Sequence, residues 1–263
     1  YRQLAYRAGD GHRRHGLARD LTERLAGDER AAAVLNGHPL GNAHHKAAHD
    51  EREQLLVALV ADFLLNFGER HDHDTHAAAP CGQLATQFKH LLLGALRGVR
   101  IAEEVDADIV MASDPDADRI GLVLKNTKGK FELVNGNQIQ LIFHYYLLAR
   151  NKELGNLTGN EYIVKTIVTT DLIAKIAEKQ NMKLYDCYTG FKWIATVMRE
   201  NEGKARYLGG GEESYGFLAE DFCRDKDSVS AISLMAEIAA WAKEKGMTMN
   251  DMLIDIYTTY GYS

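Results

Sequence analysis

Asp114-Pro115-Asp116-Ala117-Asp118-Arg119 is the stretch from which the rest of the chain can be read. It stands between two apolar runs, residues 107–112 before it and 120–124 after it, each short enough for a buried strand. Three carboxylates at alternate positions, on a loop stiffened by the fixed φ of Pro115, can converge on a hard cation through oxygen ligands. The residue types alone also suit a solvated acidic turn. Position favours the cation site, because open α/β sheets bind their ligands beyond the carboxyl ends of the strands.

Downstream the chain is regular. Residues 120–125 and 130–134 predict a hairpin closed by Asn126-Thr127-Lys128-Gly129, and an apolar helix is expected over 138–150. Three strand–loop–helix units follow. Residues 162–168 lead through Thr169-Thr170-Asp171 into 172–180, and 183–187 lead through Tyr188-Thr189-Gly190 into 191–200. The third strand, 205–208, runs into a glycine-rich loop over 209–216 and then a helix over 228–245. A last helix is expected at 249–260. Alternating strands and helices indicate an α/β sheet with helical cover.

Upstream the text changes character near residue 100. No isoleucine precedes Ile101, lysine gives way to arginine, and His144 is the only histidine after that point. A composition break this sharp marks a candidate boundary, and an isoleucine-free, Arg/His-rich stretch is also what a wrongly read frame produces. Leu17, Leu21 and Leu25 suit one face of a short helix, and residues 51–67 suit an apolar helix ended by Gly68. His44, His45 and His49, and again His71, His73 and His76, suit either a transition-metal site or a polar, flexible tract. No alternating strand pattern is evident there. Residues 1–98 are therefore expected to be a poorly specified segment, mostly helical or disordered.

Bulk properties narrow the function. The 263 residues are 46% hydrophobic and 26% charged, with a formal net charge of −6, which fits a soluble globular protein without the basic face that nucleic acid requires. Cys81, Cys187 and Cys223 form no CxxC, so neither a zinc site nor a disulfide framework is suggested. The longest apolar run, 55–65, is too short to span a bilayer. With no signal peptide visible, a cytoplasmic location is expected. The first residue is Tyr1, which suggests a fragment.

The loops at the carboxyl ends of the later strands are the expected wall of a site. Thr170 or Asp171 suits either an N-cap or that wall. Thr189-Gly190 with Lys192, at a helix start, suits an anion or an ordinary turn. The stretch Gly209-Gly210-Gly211-Glu212-Glu213-Ser214-Tyr215-Gly216 has neither P-loop nor GxGxxG spacing. Its glycines and acids suit close backbone approach and hydrogen bonds to the hydroxyls of a sugar. In Arg224-Asp225-Lys226-Asp227, Asp227 suits a helix cap, and Lys226 could transfer a proton if its pKa were lowered.

The acidic loop, Thr189-Gly190-Phe191-Lys192, Gly211-Glu212-Glu213-Ser214-Tyr215-Gly216 and Arg224-Asp225-Lys226-Asp227, in that order, resemble the α-D-phosphohexomutase family of phosphoglucomutase and phosphomannomutase type. The resemblance runs from about Val99 to the end. It implies a three-layer mixed sheet with helices on both faces, with 99–134 the end of the family's second domain and 135–263 its third. It implies intramolecular phosphoryl transfer between hexose 1-phosphate and hexose 6-phosphate, on glucose or mannose, through a phosphoserine and a 1,6-bisphosphate. Asp114, Asp116 and Asp118 match the family's Mg²⁺ ligands, and Arg119 matches the arginine beside the phosphoserine. Glu212 and Ser214 match groups that hold sugar hydroxyls. Lys192 and Lys226 match basic residues facing the substrate, with Thr189 and Gly190 in the same substrate-facing motif.

Departures accompany the match. The family's Thr-Ala-Ser-His-Asn-Pro type loop and its Arg-x-Ser-Gly-Thr type loop do not occur in these residues. The chain alone is therefore expected to be catalytically incomplete. The alternative is a non-catalytic sugar-phosphate-binding protein derived from a mutase. An EF-hand is excluded, since its sixth position would be Arg119 where glycine is needed and its twelfth Lys125 where glutamate is needed.

Overall fold

In a computed structural model, residues 57–61 and 80–262 are described. The expected helix at 17–25 and both histidine clusters lie outside these residues. Two four-stranded sheets organise the described part. The first contains β1 (Val57–Ala61), β2 (Ile109–Ser113), β3 (Ile120–Lys125) and β4 (Phe131–Val134), in that spatial order. β1 runs parallel to β2, and β2, β3 and β4 form an antiparallel meander. Ser113 pairs with Ile120, so the acidic stretch is the turn of the β2–β3 hairpin, at the carboxyl end of a strand that is itself parallel to β1.

One expectation upstream is corrected. Residues 57–61 form a strand, although 51–67 reads as a helix. A continuous apolar run such as Val-Ala-Leu-Val-Ala has no period that separates a buried strand from a buried helix, and parallel pairing along β2 decides it. The composition break near residue 100 falls within a helix, α1 (Pro80–Val105).

The second sheet has the order β6-β5-β7-β8, from β5 (Glu161–Thr166), β6 (Lys183–Cys187), β7 (Arg206–Gly211) and β8 (Phe217–Ala219). β5 is parallel to β6 and β7, while β8 returns antiparallel to β7. The sheet is mixed and carries helices on both faces, as the resemblance implies. The remaining helices are α2 (Gly136–Glu153), α3 (Leu172–Lys179), α4 (Phe191–Asn201), α5 (Ser228–Glu244) and α6 (Met249–Tyr260). Their starts follow local chemistry. Asn135 and Gln138 close a capping box on α2, Thr248 and Asp251 another on α6, and the Asp227 carboxylate accepts from the Ser230 amide at 2.8 Å.

Strand alternation assigns the faces. On the first sheet Val110, Ala112 and Val123 turn to α1, meeting Leu91, Ala95 and Ala102. Ile109, Met111, Leu122 and Leu124 turn the other way into the largest core. That core also takes Ile163, Leu208 and Phe217 from the second sheet, with apolar residues of α2, α3, α5 and α6 between. Phe143 of α2 stacks on Phe217 at 4.1 Å between ring centroids and 9° between planes. The opposite face of the second sheet, Tyr162, Val164, Tyr207 and Leu218, is covered by Phe191, Ile194 and Met198 of α4.

Candidate functional site

The acidic turn is held by its own first carboxylate. Asp114 Oδ1 accepts the amides of Asp118 at 3.1 Å and Arg119 at 3.0 Å, and Oδ2 takes Arg119 Nη1 at 3.3 Å. Ala117 completes the turn at φ 58°, a conformation that L residues adopt rarely. One oxygen from each of Asp114, Asp116 and Asp118 lies within 4.8 Å of the other two. Burial is the main cause that pushes the Asp114 carboxyl up, to about 7. The Arg119 amide opposes the rise, and the charges of Asp118 and Asp116 add to it. Asp118 Oδ1 is buried without a hydrogen-bond partner. A buried carboxylate oxygen that accepts no hydrogen bond and has only a long contact to Arg119 Nη1, beside two further carboxylates, is what a hard cation would complete, so these residues fit a divalent ion.

The second loop is shorter than its glycines suggest. Gly209, Gly210 and Gly211 belong to β7, and only 212–216 is loop before β8. The space a Cβ would occupy at these glycines is already filled by protein. Gly209 meets Leu147 and Phe217, Gly210 meets the Val164 carbonyl, and Gly211 meets Gln140. Close packing against α2 and against the neighbouring strands therefore accounts for those three glycines. The two acids after them diverge. Glu213 turns inward, its Oε2 accepting from the hydroxyls of Thr166 and Thr169, each at 3.1 Å. Glu212 turns to the start of α4, where Oε1 accepts the Gly190 amide at 2.9 Å. Burial raises the Glu212 carboxyl above its ordinary value, with the Gly190 amide and the charge of Lys226 opposing. Ser214 is half-buried and makes no hydrogen bond among the described residues.

These two loops touch. Arg119 and Gly216 form an antiparallel bridge, the Ile120 amide donates to the Tyr215 carbonyl at 3.2 Å, and the Ser228 amide donates to the Ala117 carbonyl at 3.0 Å. Lys226 reaches across from the β8–α5 connection, its Nζ 2.6 Å from Asp118 Oδ2. The lowered pKa that proton transfer by Lys226 would need is not found. Burial pulls it down, but the hydrogen bond and charge of Asp118, helped by Asp225, outweigh burial and raise it above the ordinary lysine value. At the start of α4, Gly190 at φ 111° gives its amide to Glu212, so the first anion at that helix terminus is the chain's own carboxylate. Thr189 and Lys192 are exposed beside it, with Lys192 Nζ 5.4 Å from the Trp193 ring centroid. Asp171 heads α3 without a capping bond, and Thr170 Oγ1 accepts the Leu172 amide at 3.2 Å instead.

Two supporting residues carry no motif. Gln140, fully buried on α2, donates through Nε2 to the Glu212 and Gly216 carbonyls, both at 3.0 Å, and so clamps the two ends of the loop. Lys165, 1% exposed on β5, pairs with Asp171 at 3.2 Å and Asp186 at 3.1 Å and donates to the Thr169 carbonyl. A polar residue inside an apolar helix run, and a lysine inside an apolar strand, were the available signals, and neither announces its partner.

Residues 135–260 match the family described as phosphoglucomutase/phosphomannomutase, alpha/beta/alpha domain III. A phosphoglucomutase of Staphylococcus epidermidis is 35% identical over 165 residues, covering 63% of this chain and 30% of the relative. A phosphoglucomutase of Staphylococcus aureus is 34% identical over the same length, covering 63% and 29%. Among solved structures, a phosphoglucomutase/phosphomannomutase family protein from Burkholderia thailandensis is 20% identical, with a TM-score of 0.47 over 61% of this chain and 31% of that one. The chain thus spans under a third of the length of the curated relatives it matches. The family match and the two phosphoglucomutase relatives agree with the resemblance carried by the motifs, over the part of the chain they cover. Among the described residues no helix is long and apolar enough to cross a membrane.

Proposed function

We propose that this chain carries the metal and sugar parts of a phosphohexomutase site, acting on a hexose 1-phosphate or 6-phosphate. The observation that carries the reading is the junction of the two loops, where Arg119 bridges to Gly216 and the Ile120 amide bonds to the Tyr215 carbonyl. Asp114, Asp116 and Asp118 would hold Mg²⁺, which when bound supplies charge neutralisation at a transferring phosphoryl group. Arg119, fixed by Asp114, presents a guanidinium suited to phosphate oxygens. Glu212 has one oxygen committed to Gly190, which orients the carboxylate toward sugar hydroxyls, and Ser214 beside it has its hydroxyl to offer. Thr189 and Lys192, exposed on either side of the Gly190–Glu212 contact, suit the phosphate on the sugar, with Gly190 shaping the turn between them. Lys226, protonated, acts first as a charge; as a proton donor it would need its contact with Asp118 removed.

The 263 residues contain no phosphoserine loop of the family type, so we further propose binding without turnover by this chain alone, in the reducing setting of the cytoplasm. Calorimetry with glucose 1,6-bisphosphate, with and without Mg²⁺, tests the first claim. Binding that strengthens with Mg²⁺ and weakens in Glu212→Ala is expected, and no binding in either condition removes the reading. A coupled assay for conversion of glucose 1-phosphate to glucose 6-phosphate tests the second, and turnover by the purified chain overturns it.

A further inference from the structure

Lys226 runs over the backbone of Gly216, where an added Cβ would collide with the lysine Cδ. The ammonium ends 2.6 Å from Asp118 Oδ2, with Asp225 Oδ1 at 3.5 Å, and only 13% of the side chain is exposed. The other oxygen of Asp118 faces Arg119 Nη1 at 3.7 Å. Two cationic groups thus already serve the acidic loop, and they differ in how firmly they are held. Arg119 is buried within the loop and doubly tied to Asp114 through its amide and its guanidinium. Lys226 enters from the β8–α5 connection across the space that residue 216 leaves by lacking a side chain, and it has a second place to go. Its Nζ lies 5.9 Å from the Phe191 ring centroid at the start of α4. The Glu212 carboxylate, on the same side, feels its charge.

A divalent ion bound through either oxygen of Asp118 would sit within a few ångströms of the ammonium on Oδ2, and two cations that close repel strongly. We propose that Lys226 is the resident counterion of the acidic loop, displaced from Asp118 when a divalent cation enters and redirected toward the Glu212 side of the crevice. Cation occupancy and presentation of Lys226 are then coupled, and the lysine faces the sugar side only once the loop is loaded. The inference rests on the reading of Asp114, Asp116 and Asp118 as the cation ligands.

Two measurements on the full chain, neither requiring turnover, test it. Mn²⁺ titration should show Lys226→Met binding roughly tenfold more tightly than the unmodified chain, because a charge-assisted contact no longer competes. Lys128→Met, at the exposed β3–β4 turn, should bind Mn²⁺ like the unmodified chain. Acetylation of the unmodified chain, read residue by residue by mass spectrometry, should show Lys226 labelled several-fold more in Mg²⁺ than without it, and Lys128 equally in both. Equal Mn²⁺ affinity in Lys226→Met and the unmodified chain overturns the competition while leaving the cation site standing. Absence of Mn²⁺ binding in both removes the site and the inference together. Should Lys226→Met fail to fold, unchanged Lys226 labelling in Mg²⁺ overturns the proposal on its own.

Discussion

Burial holds the Asp114 carboxyl at about 7, against the pull of the Arg119 amide. A cation must displace that proton, so Mn²⁺ affinity should fall as pH drops below about 7, approaching tenfold per unit for one proton. Titrations on either side of that value check this, and a flat profile contradicts it. In the cation-free chain the same group acts on stability. Its folded pKa is raised, so its protonated form favours folding and stability is lost as pH rises from the ordinary carboxylate value toward 7. His144 has the opposite sign. Buried on α2 with Nδ1 2.8 Å from the Gln140 carbonyl, it is pushed down by burial to about 4. The unfolded chain takes up that proton near the ordinary histidine value, so stability is lost as pH falls from there to about 4, by about 3 kcal/mol in all. The two effects oppose each other over much of one window. His144→Gln should therefore convert a shallow pH dependence into one where stability rises on acidification, and the slope of urea midpoints against pH, rather than their absolute level, is the readout.

Elements account for what could be read in the sequence and what could not. The hairpin turn at Asn126–Gly129 and the helix Met249–Tyr260 follow from local signals, turn residues in one case and a Thr248–Asp251 capping box in the other, and both are found. The strand at 57–61 was not legible because its cause is pairing with β2, far along the chain. The glycines of β7 misled for a related reason. Glycine is a loop signal in sequence, whereas here it answers to the volume of neighbours on β5 and α2 that sequence does not display. The site divides in the same way. Aspartates, Glu212 and Lys226 were legible as motifs, but the direction of the Lys226 pKa shift depends on Asp118, which contacts it from another element. Gly210→Ala tests the packing account. Its Cβ would lie 2.7 Å from the Val164 carbonyl oxygen and 2.8 Å from the Tyr207 hydroxyl, so the neighbouring strand must shift. We expect a loss of about 1–3 kcal/mol in chemical denaturation, and an unchanged midpoint would mean that β7 tolerates a side chain there.

At the scale of the described part of the molecule, the acidic turn belongs to one sheet and the 212–216 loop to the other, and a single apolar layer ties the two sheets together. Met111 and Leu122 from the first sheet and Ile163 and Phe217 from the second contribute to one core, with α2, α5 and α6 between them. Shared packing of this kind makes the relative position of the loops a property of the core as well as of the contacts at Arg119 and Lys226. Phe217 is the residue to remove, since it is 1% exposed, stacks on Phe143 and immediately follows Gly216 at the loop junction. Phe217→Ala should cost about 3–5 kcal/mol through lost transfer energy and the cavity left behind. If the core is shared, amides of β2 and β3 should lose hydrogen-exchange protection to the same extent as those of β5 and β7, and unfolding should remain one transition. Loss confined to the second sheet would instead mean that the two sheets open separately. In that case the acidic turn and Glu212 would be aligned only by the Arg119–Gly216 bridge, the Tyr215 and Ala117 carbonyl bonds and the Lys226–Asp118 pair.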